Sequence, residues 1–207
     1  MSEIGGSGHW NEVYSTRRED GVSWFEDTPD LSLRLIERSG IAPGAPFIDV
    51  GGGASRLVDR LLERGFTDVT VLDLSSQALD NAKSRLGDAA STVDWIVADA
   101  SAWPNASTYG MWHDRAAFHF LTEVTAREAY LRTLRQAVAP GGFAIFGVFA
   151  PDGPATCSGL PVMRYDARQL ADLLGPGFEC LHQERHPHKT PWNAEQKFQF
   201  ALFRRAG

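Results

Sequence analysis

Phe47-Ile48-Asp49-Val50-Gly51-Gly52-Gly53-Ala54-Ser55 is the stretch whose reading decides the fold. Phe47, Ile48 and Val50 suit a short buried strand, and three successive glycines let the backbone turn sharply with no Cβ in the way. A ligand can therefore come very close to the main chain at Gly51, Gly52 and Gly53. In residues 55–65, Leu57, Val58, Leu61 and Leu62 fall on one face at helical spacing, with Ser55 as a cap candidate and Gly65 as the stop. Strand, glycine turn and helix together make a nucleotide cradle, because open backbone N–H groups and a helix N-terminus converge on one point.

Turns of this kind serve NAD(P), FAD and S-adenosylmethionine alike, and some hold no ligand. A dinucleotide fingerprint places Gly or Ala three residues beyond its second glycine, under a pyrophosphate; with Gly51 and Gly53 as the first two, that position is Arg56. An acid ahead of the turn, Asp49, suits the cationic amino group or sulfonium of S-adenosylmethionine better than it suits two phosphates.

The chain has 207 residues, of which 43% are hydrophobic, enough for one α/β domain with a proper core. The expectation is a single domain over residues 1–207, with residues 1–28 as an N-terminal lid segment. A formal net charge of −6 argues against a phosphate-backbone binder, so no nucleic-acid partner is expected. Two cysteines, Cys157 and Cys180, fit a reducing compartment better than a disulfide scaffold. No apolar run approaches a membrane span, and MSEIGGSGHW lacks a basic region followed by a hydrophobic one. These features predict a cytoplasmic protein with no membrane association.

Residues 1–7 read as a disordered start. Trp10, Val13 and Tyr14 share one face of a short helix, and Trp24-Phe25 form a second aromatic group. These rings either pack on the core or form a lid that folds over a ligand and excludes water. Residues 29–39 predict a second helix through Leu31, Leu35 and Ile36. Residues 69–72 read as a second buried strand, ending at Asp73-Leu74 and followed by Ser75-Ser76 as caps of a helix through Leu86. Asp73 lies 22 residues after Gly51, the separation at which an acid on the next strand reaches ribose hydroxyls. A third strand over residues 95–98 ends at Asp99-Ala100. A fourth finishes at Met111-Trp112, with His113, Asp114 and Arg115 at its mouth. Residues 125–138 read as a helix stopped by Pro140-Gly141-Gly142, and residues 143–148 as the fifth strand. Residues 149–164 predict a long loop without period, Asp166 caps a helix over residues 167–174, and residues 178–184 and 196–203 form an antiparallel pair joined by HPHKTPWNA.

The chain resembles the class I S-adenosylmethionine-dependent methyltransferases. The residues that carry the likeness are Asp49-Val50-Gly51-Gly52-Gly53, Asp73, Asp99-Ala100, Pro140-Gly141-Gly142 and the closing strand pair. The resemblance implies a Rossmann-like, seven-stranded, mostly parallel sheet with helices on both faces and the last strand antiparallel beside the fifth. The third glycine of the family's usual motif is Ser55 here. HWNEVY, WFE and DRAAFHFL look like the branch that includes elongation-factor lysine methyltransferases, while Asp114-Arg115 is similar to a stretch of thiopurine S-methyltransferase. By resemblance, Asp49, Gly51, Gly52 and Gly53 approach the methionine portion of the cofactor, Asp73 with Leu74 takes the ribose, and Asp99 with Ala100 reads the adenine edge.

On the acceptor side, Tyr14, Trp24, Phe25, His119 and Cys157 are substrate-contact candidates, with Phe118 and Phe120 as further aromatic walls. Asp114 and His119 are the candidates for a base that takes a proton from an ammonium, hydroxyl or thiol. Asp114 has the rival role of holding the cofactor's amino group, and His119 that of a packed histidine. His182, His186 and His188 lack a carboxylate at ligand spacing, and Asp114 lacks acidic partners for magnesium, so no metal is expected. The expected reaction is methyl transfer to an amine or thiol, with a lean to a small molecule over a protein lysine. An NAD(P)-dependent oxidoreductase and a non-catalytic binding module are the rivals.

Overall fold

The computed structural model describes residues 5–104 and 107–207. Of the segment expected to be a disordered start, residues 1–4 lie outside the described residues, and Ser7 already begins helix α1, Ser7–Thr16. Helix α2, Asp30–Ser39, ends at Gly40 in a left-handed conformation. The quoted stretch then forms strand β1, Phe47–Val50, and the glycine turn feeds α3, Leu57–Glu63. Strand β2, Val69–Asp73, leads into α4, Ser76–Leu86, whose N-terminus is capped by the Ser75 hydroxyl accepting from Ala78 N–H at 3.1 Å. Strands β3, Val93–Val97, and β4, Tyr109–Arg115, precede α5, Val124–Ala137, and β5, Val138–Phe149.

The chain then makes a two-stranded hairpin, β6, Thr156–Cys157, and β7, Leu160–Pro161. Helix α6, Ala167–Leu174, starts at a reciprocal capping box between Asp166 and Gln169. Strands β8, Phe178–Lys189, and β9, Glu195–Arg205, close the fold.

The seven-stranded sheet has the order β3-β2-β1-β4-β5-β9-β8. Its first five strands are parallel, and β9 inserts antiparallel between β5 and β8, as the strand pair at the chain end predicts. Strand alternation divides the core. Ile48, Val50, Trp112 and Phe146 face α5 and α6, while Phe47, Met111 and Ile145 face α2, α3 and α4. The chain order reverses between β1 and β4, so the loops leaving their carboxyl ends diverge and open a crevice there.

Four expectations need correction. The tripeptide Pro140-Gly141-Gly142 is not a turn ahead of β5 but a bulge within it: pairing jumps from Tyr109–Val138 to Met111–Phe143, looping the extra residues out. Strand β4 does not stop at Trp112; His113, Asp114 and Arg115 all pair with β5, which keeps their backbones satisfied inside the sheet. The unpatterned loop over residues 149–164 contains the β6–β7 hairpin, turned at Ser158 and Gly159, both with positive φ. Half of HPHKTPWNA belongs to β8, where Pro187 and His188 pair with Lys197 and Gln196 on an edge strand that tolerates proline.

Candidate functional site

The crevice holds a cavity of about 500 Å³, within the range of small-molecule sites. Its floor comes from the carboxyl ends of the parallel strands: Val50 and Gly51 after β1, Asp73 and Leu74 after β2, Asp99 and Ala100 after β3, and Arg115 with the following loop after β4. Its roof comes from Trp10 and Tyr14 of α1, Trp24, and the hairpin residues Cys157, Leu160 and Pro161.

The glycine bend and the loop after β4 touch. Gly51 has φ of +68°, and a Cβ placed on it would come within 2.3 Å of the Ala117 Cβ, so only glycine lets these loops meet. At Gly53, φ is +46°, and a Cβ would lie 3.0 Å from both Asp73 Oδ2 and the Tyr14 hydroxyl. Gly52 packs over the Asp49 carboxylate and Val71, away from the cavity lining. The approaches at Gly51 and Gly53 are contacts within the protein, and Gly53, like Gly52, lies outside the cavity lining; Gly51 lines the cavity with the Asp73 and Asp99 carboxylates, a donor set that fits a ligand with a cationic centre and hydroxyl donors, as S-adenosylmethionine has.

Asp73 is 8% exposed, and its Oδ1 accepts from Ser75 N–H at 2.8 Å. Burial pushes its pKa up to about 7, with the Asp49 charge adding to the rise and backbone N–H groups of Ser75, Gly53 and Leu74 opposing it. Asp99 is exposed; its Oδ1 is engaged by Ser101 N–H and hydroxyl at 2.8 and 2.7 Å. Tyr14 is raised well above the ordinary phenol pKa by burial first and then by Asp73, so it stays a neutral hydroxyl.

The remaining acids and bases sit elsewhere than expected. Asp49 turns to the opposite side of β1, where His113 Nδ1–H donates to it at 2.7 Å and Ser32 hydroxyl meets His113 Nε2 at 2.9 Å. It is outside the cavity lining and holds α2 to the sheet. Asp114, expected at the acceptor, is fully buried and also off the lining. Its carboxylate accepts from the Tyr130 hydroxyl at 2.6 Å and from Phe118 and Ala117 N–H at 3.0–3.1 Å, and Tyr130 accepts in turn from Trp112 Nε1–H at 2.8 Å. This network fixes the loop after β4, where Ala116 is held at φ +65°. His119 packs between Phe120 and Phe149, and burial depresses its pKa to about 3, so it is a neutral core imidazole.

Among the aromatic candidates, Trp24 and Phe120 line the cavity, each edge-on to Trp10 at 5.8 and 5.0 Å. Phe118 is in the core against Phe146 and Tyr165, and Phe25 lies under the Arg56 guanidinium at 5.3 Å rather than at the cavity wall. Cys157 does line the cavity, but burial raises its pKa to about 11, against opposing effects of Ser23 and Arg115, so it remains a thiol. The lining residues Arg115 and Tyr130 had been given no role. For Tyr130 the only sequence signal is its place beside Leu131 on the apolar face of α5; for Arg115 it is the tail of β4, one residue past Asp114.

Among the described residues no group of three His, Cys, Asp or Glu side chains is placed to hold a metal, and no helix is long and apolar enough to cross a membrane. His188, one of the three histidines considered, is turned inward between Ser23 O and Glu26.

A parallel sheet with an antiparallel penultimate strand, a glycine bend at the switch point and an acid on the next strand define the class I methyltransferase architecture. Residues 47–142, from β1 through the bulge of β5, match the family model described as "Methyltransferase domain". EEF1A lysine methyltransferase 2 of Danio rerio is 23% identical over 205 residues, covering 90% of this chain and 81% of that protein. A solved structure described as "Conversion of a Disulfide Bond into a Thioacetal Group during Echinomycin Biosynthesis" superposes with a TM-score of 0.77 at 21% identity, covering 97% of this chain and 93% of the other. The Burkholderia thailandensis 1,6-didemethyltoxoflavin-N1-methyltransferase, solved with bound 1,6-didemethyltoxoflavin and S-adenosylhomocysteine, gives a TM-score of 0.70 at 19% identity, covering 99% of this chain and 85% of the other. Together these comparisons show a methyltransferase domain over residues 47–142 and the Rossmann-like fold of S-adenosylmethionine-dependent methyltransferases over the chain.

The geometry makes two predictions. Asp114→Ala strands the Tyr130 hydroxyl and two loop N–H groups in the core, and urea unfolding should show a loss on the order of 3 kcal/mol. Asp73 has a folded pKa of about 7 against 3.8 for a free aspartate, so the folded state binds the extra proton between these values. Stability of the ligand-free protein therefore falls as pH rises from about 4 to about 7, and Asp114, raised to about 6 chiefly by burial, adds to the same slope. Asp73→Asn should flatten that slope and unfold at higher urea than the wild type at pH 8; an unchanged profile would refute the assignment.

Proposed function

We propose that this chain is a methyltransferase acting on an amine or thiol of a compact small molecule, using residues 1–28 of a single 1–207 domain as a lid. The observation that carries this reading is the roofed cavity. Helix α1 is tied to the N-terminus of α4, where Asn11 Oδ1 accepts from the Ser75 hydroxyl at 2.8 Å and Asn81 donates to Tyr14 O at 3.1 Å. Glu19 then bridges Arg56 and Arg85 at 2.9 and 3.0 Å, and Arg85 also donates to Ala54 O and Ser55 O of the glycine loop. A segment held this way covers the crevice and leaves room for a small acceptor rather than a protein surface.

S-adenosylmethionine, when bound, supplies a methyl group activated by its own sulfonium charge. The chain's residues position, enclose and exclude. Asp73 accepts from the ribose hydroxyls, with Leu74 beside it; Asp99 and the Ala100 N–H meet the adenine edge; Gly51 admits the methionine portion to the backbone. Asp114 acts on the site through the loop it braces, and Asp49 through its charge on Asp73. Trp10, Tyr14, Trp24 and Phe120 shut water from the acceptor side, which raises the value of alignment in a displacement at carbon. No nucleic-acid partner belongs to this reading, and two unpaired cysteines suit a cytoplasmic setting.

The zebrafish relative favours a second reading, a protein lysine as acceptor. Labelled cofactor incubated with cell lysate and with a panel of amines and thiols separates the two: label in small molecules is expected, and label confined to protein bands would overturn the small-molecule reading. Calorimetry on Asp73→Ala should show cofactor affinity lowered about tenfold or more, as for loss of a charged hydrogen-bond acceptor; wild-type affinity would remove Asp73 from the ribose.

A further inference from the structure

The cavity is divided by charge. Asp73 and Asp99 lie at the ends of β2 and β3, on one side of the glycine bend, and Arg115 lies at the end of β4, on the other. We propose that the acceptor carries a negative charge on or beside its methylated atom and that Arg115 selects it. This deepens the methyl-transfer reading above and rests on it.

Arg115 is a buried cation whose charge is shared with Glu26 but most of whose hydrogen-bond donors are unused by the described residues. Its side chain is 8% exposed, and its guanidinium donates to Trp24 O at 3.0 Å. Glu26 stands 3.6 Å away, too far for a hydrogen bond, and is shared with His188 Nδ1 at 3.3 Å. Of the five N–H donors of a guanidinium, most thus have no hydrogen-bond partner among the described residues. The charge is felt in the cavity: it opposes the burial that raises the pKa of both Tyr14 and Cys157, two lining residues. The rings of Trp10, Tyr14, Trp24 and Phe120, packed edge to face, line the same cavity.

A guanidinium cannot give up its proton in such a site, so an ammonium entering beside it meets a like charge at reduced dielectric. An ammonium would also need a base. Among the described lining residues on the Arg115 side there is no carboxylate or imidazole, since Asp114 is spent on Tyr130 and the loop, and His119 lies in the core. An anion meets the reverse conditions: it is attracted to Arg115, and neither a thiolate nor a neutral aryl amine has a proton to lose before it attacks. The lone pair of a thiolate forms the new sulfur–carbon bond while the donor's carbon–sulfur bond breaks and its pair stays on the donor sulfur, so the two charges cancel. For an amine flanked by a carboxylate, the same displacement releases one proton to solvent.

Four acceptors test the assignment with labelled cofactor: thiophenolate, with charge on the attacking atom; anthranilate, with charge beside it; aniline, a neutral ring of the same size; and benzylamine, a cation. One of the two anions should exceed aniline and benzylamine in kcat/KM by about tenfold or more, and which one does so places the charge. In Arg115→Gln that advantage should vanish, in Arg115→Lys it should return in part, and the dissociation constant for S-adenosylhomocysteine should hold in both. Glu26→Gln, which removes the competing carboxylate, should enlarge the advantage. Benzylamine or aniline as best substrate, an anion preference that survives Arg115→Gln, or label in none of the four while S-adenosylhomocysteine still binds, would each overturn the proposal. Loss of that binding in the wild type would instead refute the methyl-transfer reading beneath it.

Discussion

The buried carboxylate of Asp114 is the constraint on which the site depends. It sits where β4 leaves the sheet, and it gathers the Tyr130 hydroxyl from α5 and two N–H groups from the turn that follows. A carboxylate in the core is costly unless its oxygens are well provided with donors, and here they are. The turn is thereby locked in one conformation, including Ala116 in a left-handed geometry that a non-glycine residue adopts only when its surroundings insist. Ala117 is then pressed against Gly51, so the bend after β1 and the turn after β4 are registered to each other.

Around this point the molecule separates its charges by function. The carboxylates Asp73 and Asp99 lie on the β2 and β3 side of the cavity, and Asp73 is buried deeply enough that its ionisation works against the stability of the ligand-free fold. Glu26 shows the opposite balance. Burial works to raise its pKa, but Arg115 and His188 prevail and hold it down to about 2, so it stays ionised and ties residues 23–26 to β4 and β8.

The N-terminal segment is bound at three levels. Asn11 and Tyr14 attach α1 to α4, Glu19 attaches the following turn to Arg56 and Arg85, and Glu26 attaches the aromatic strap to Arg115 and His188. Arg85 is the common element, because it also holds Ala54 O and Ser55 O of the glycine loop together with Asp59. The floor and roof of the cavity are thus coupled through one guanidinium, in keeping with its planar fork of donors.

The sequence by itself determined the strand order of chemistry along the chain: Asp49 to Gly53 as strand and bend, Asp73 at the next strand tip, Ser75 as a cap, Asp166 as another, and an antiparallel pair at the end. Those are local signals, written in periodicities of two and 3.6, in glycine runs and in capping residues, and they need no partner from elsewhere in the chain. What only the tertiary structure decided is which way each polar side chain faces and what it meets. Asp49 reads in the sequence as a cofactor contact and Asp114 as a base or a cofactor contact, yet alternation along β1 and β4 sends one to His113 and the other to Tyr130, 64 and 16 residues away. Arg115, unassigned in the sequence, reaches the cavity because its neighbours Trp24 and Glu26 arrive from the far end of the chain. Long-range pairing sets the desolvation and the hydrogen-bond partners of a charge, and no local pattern encodes either.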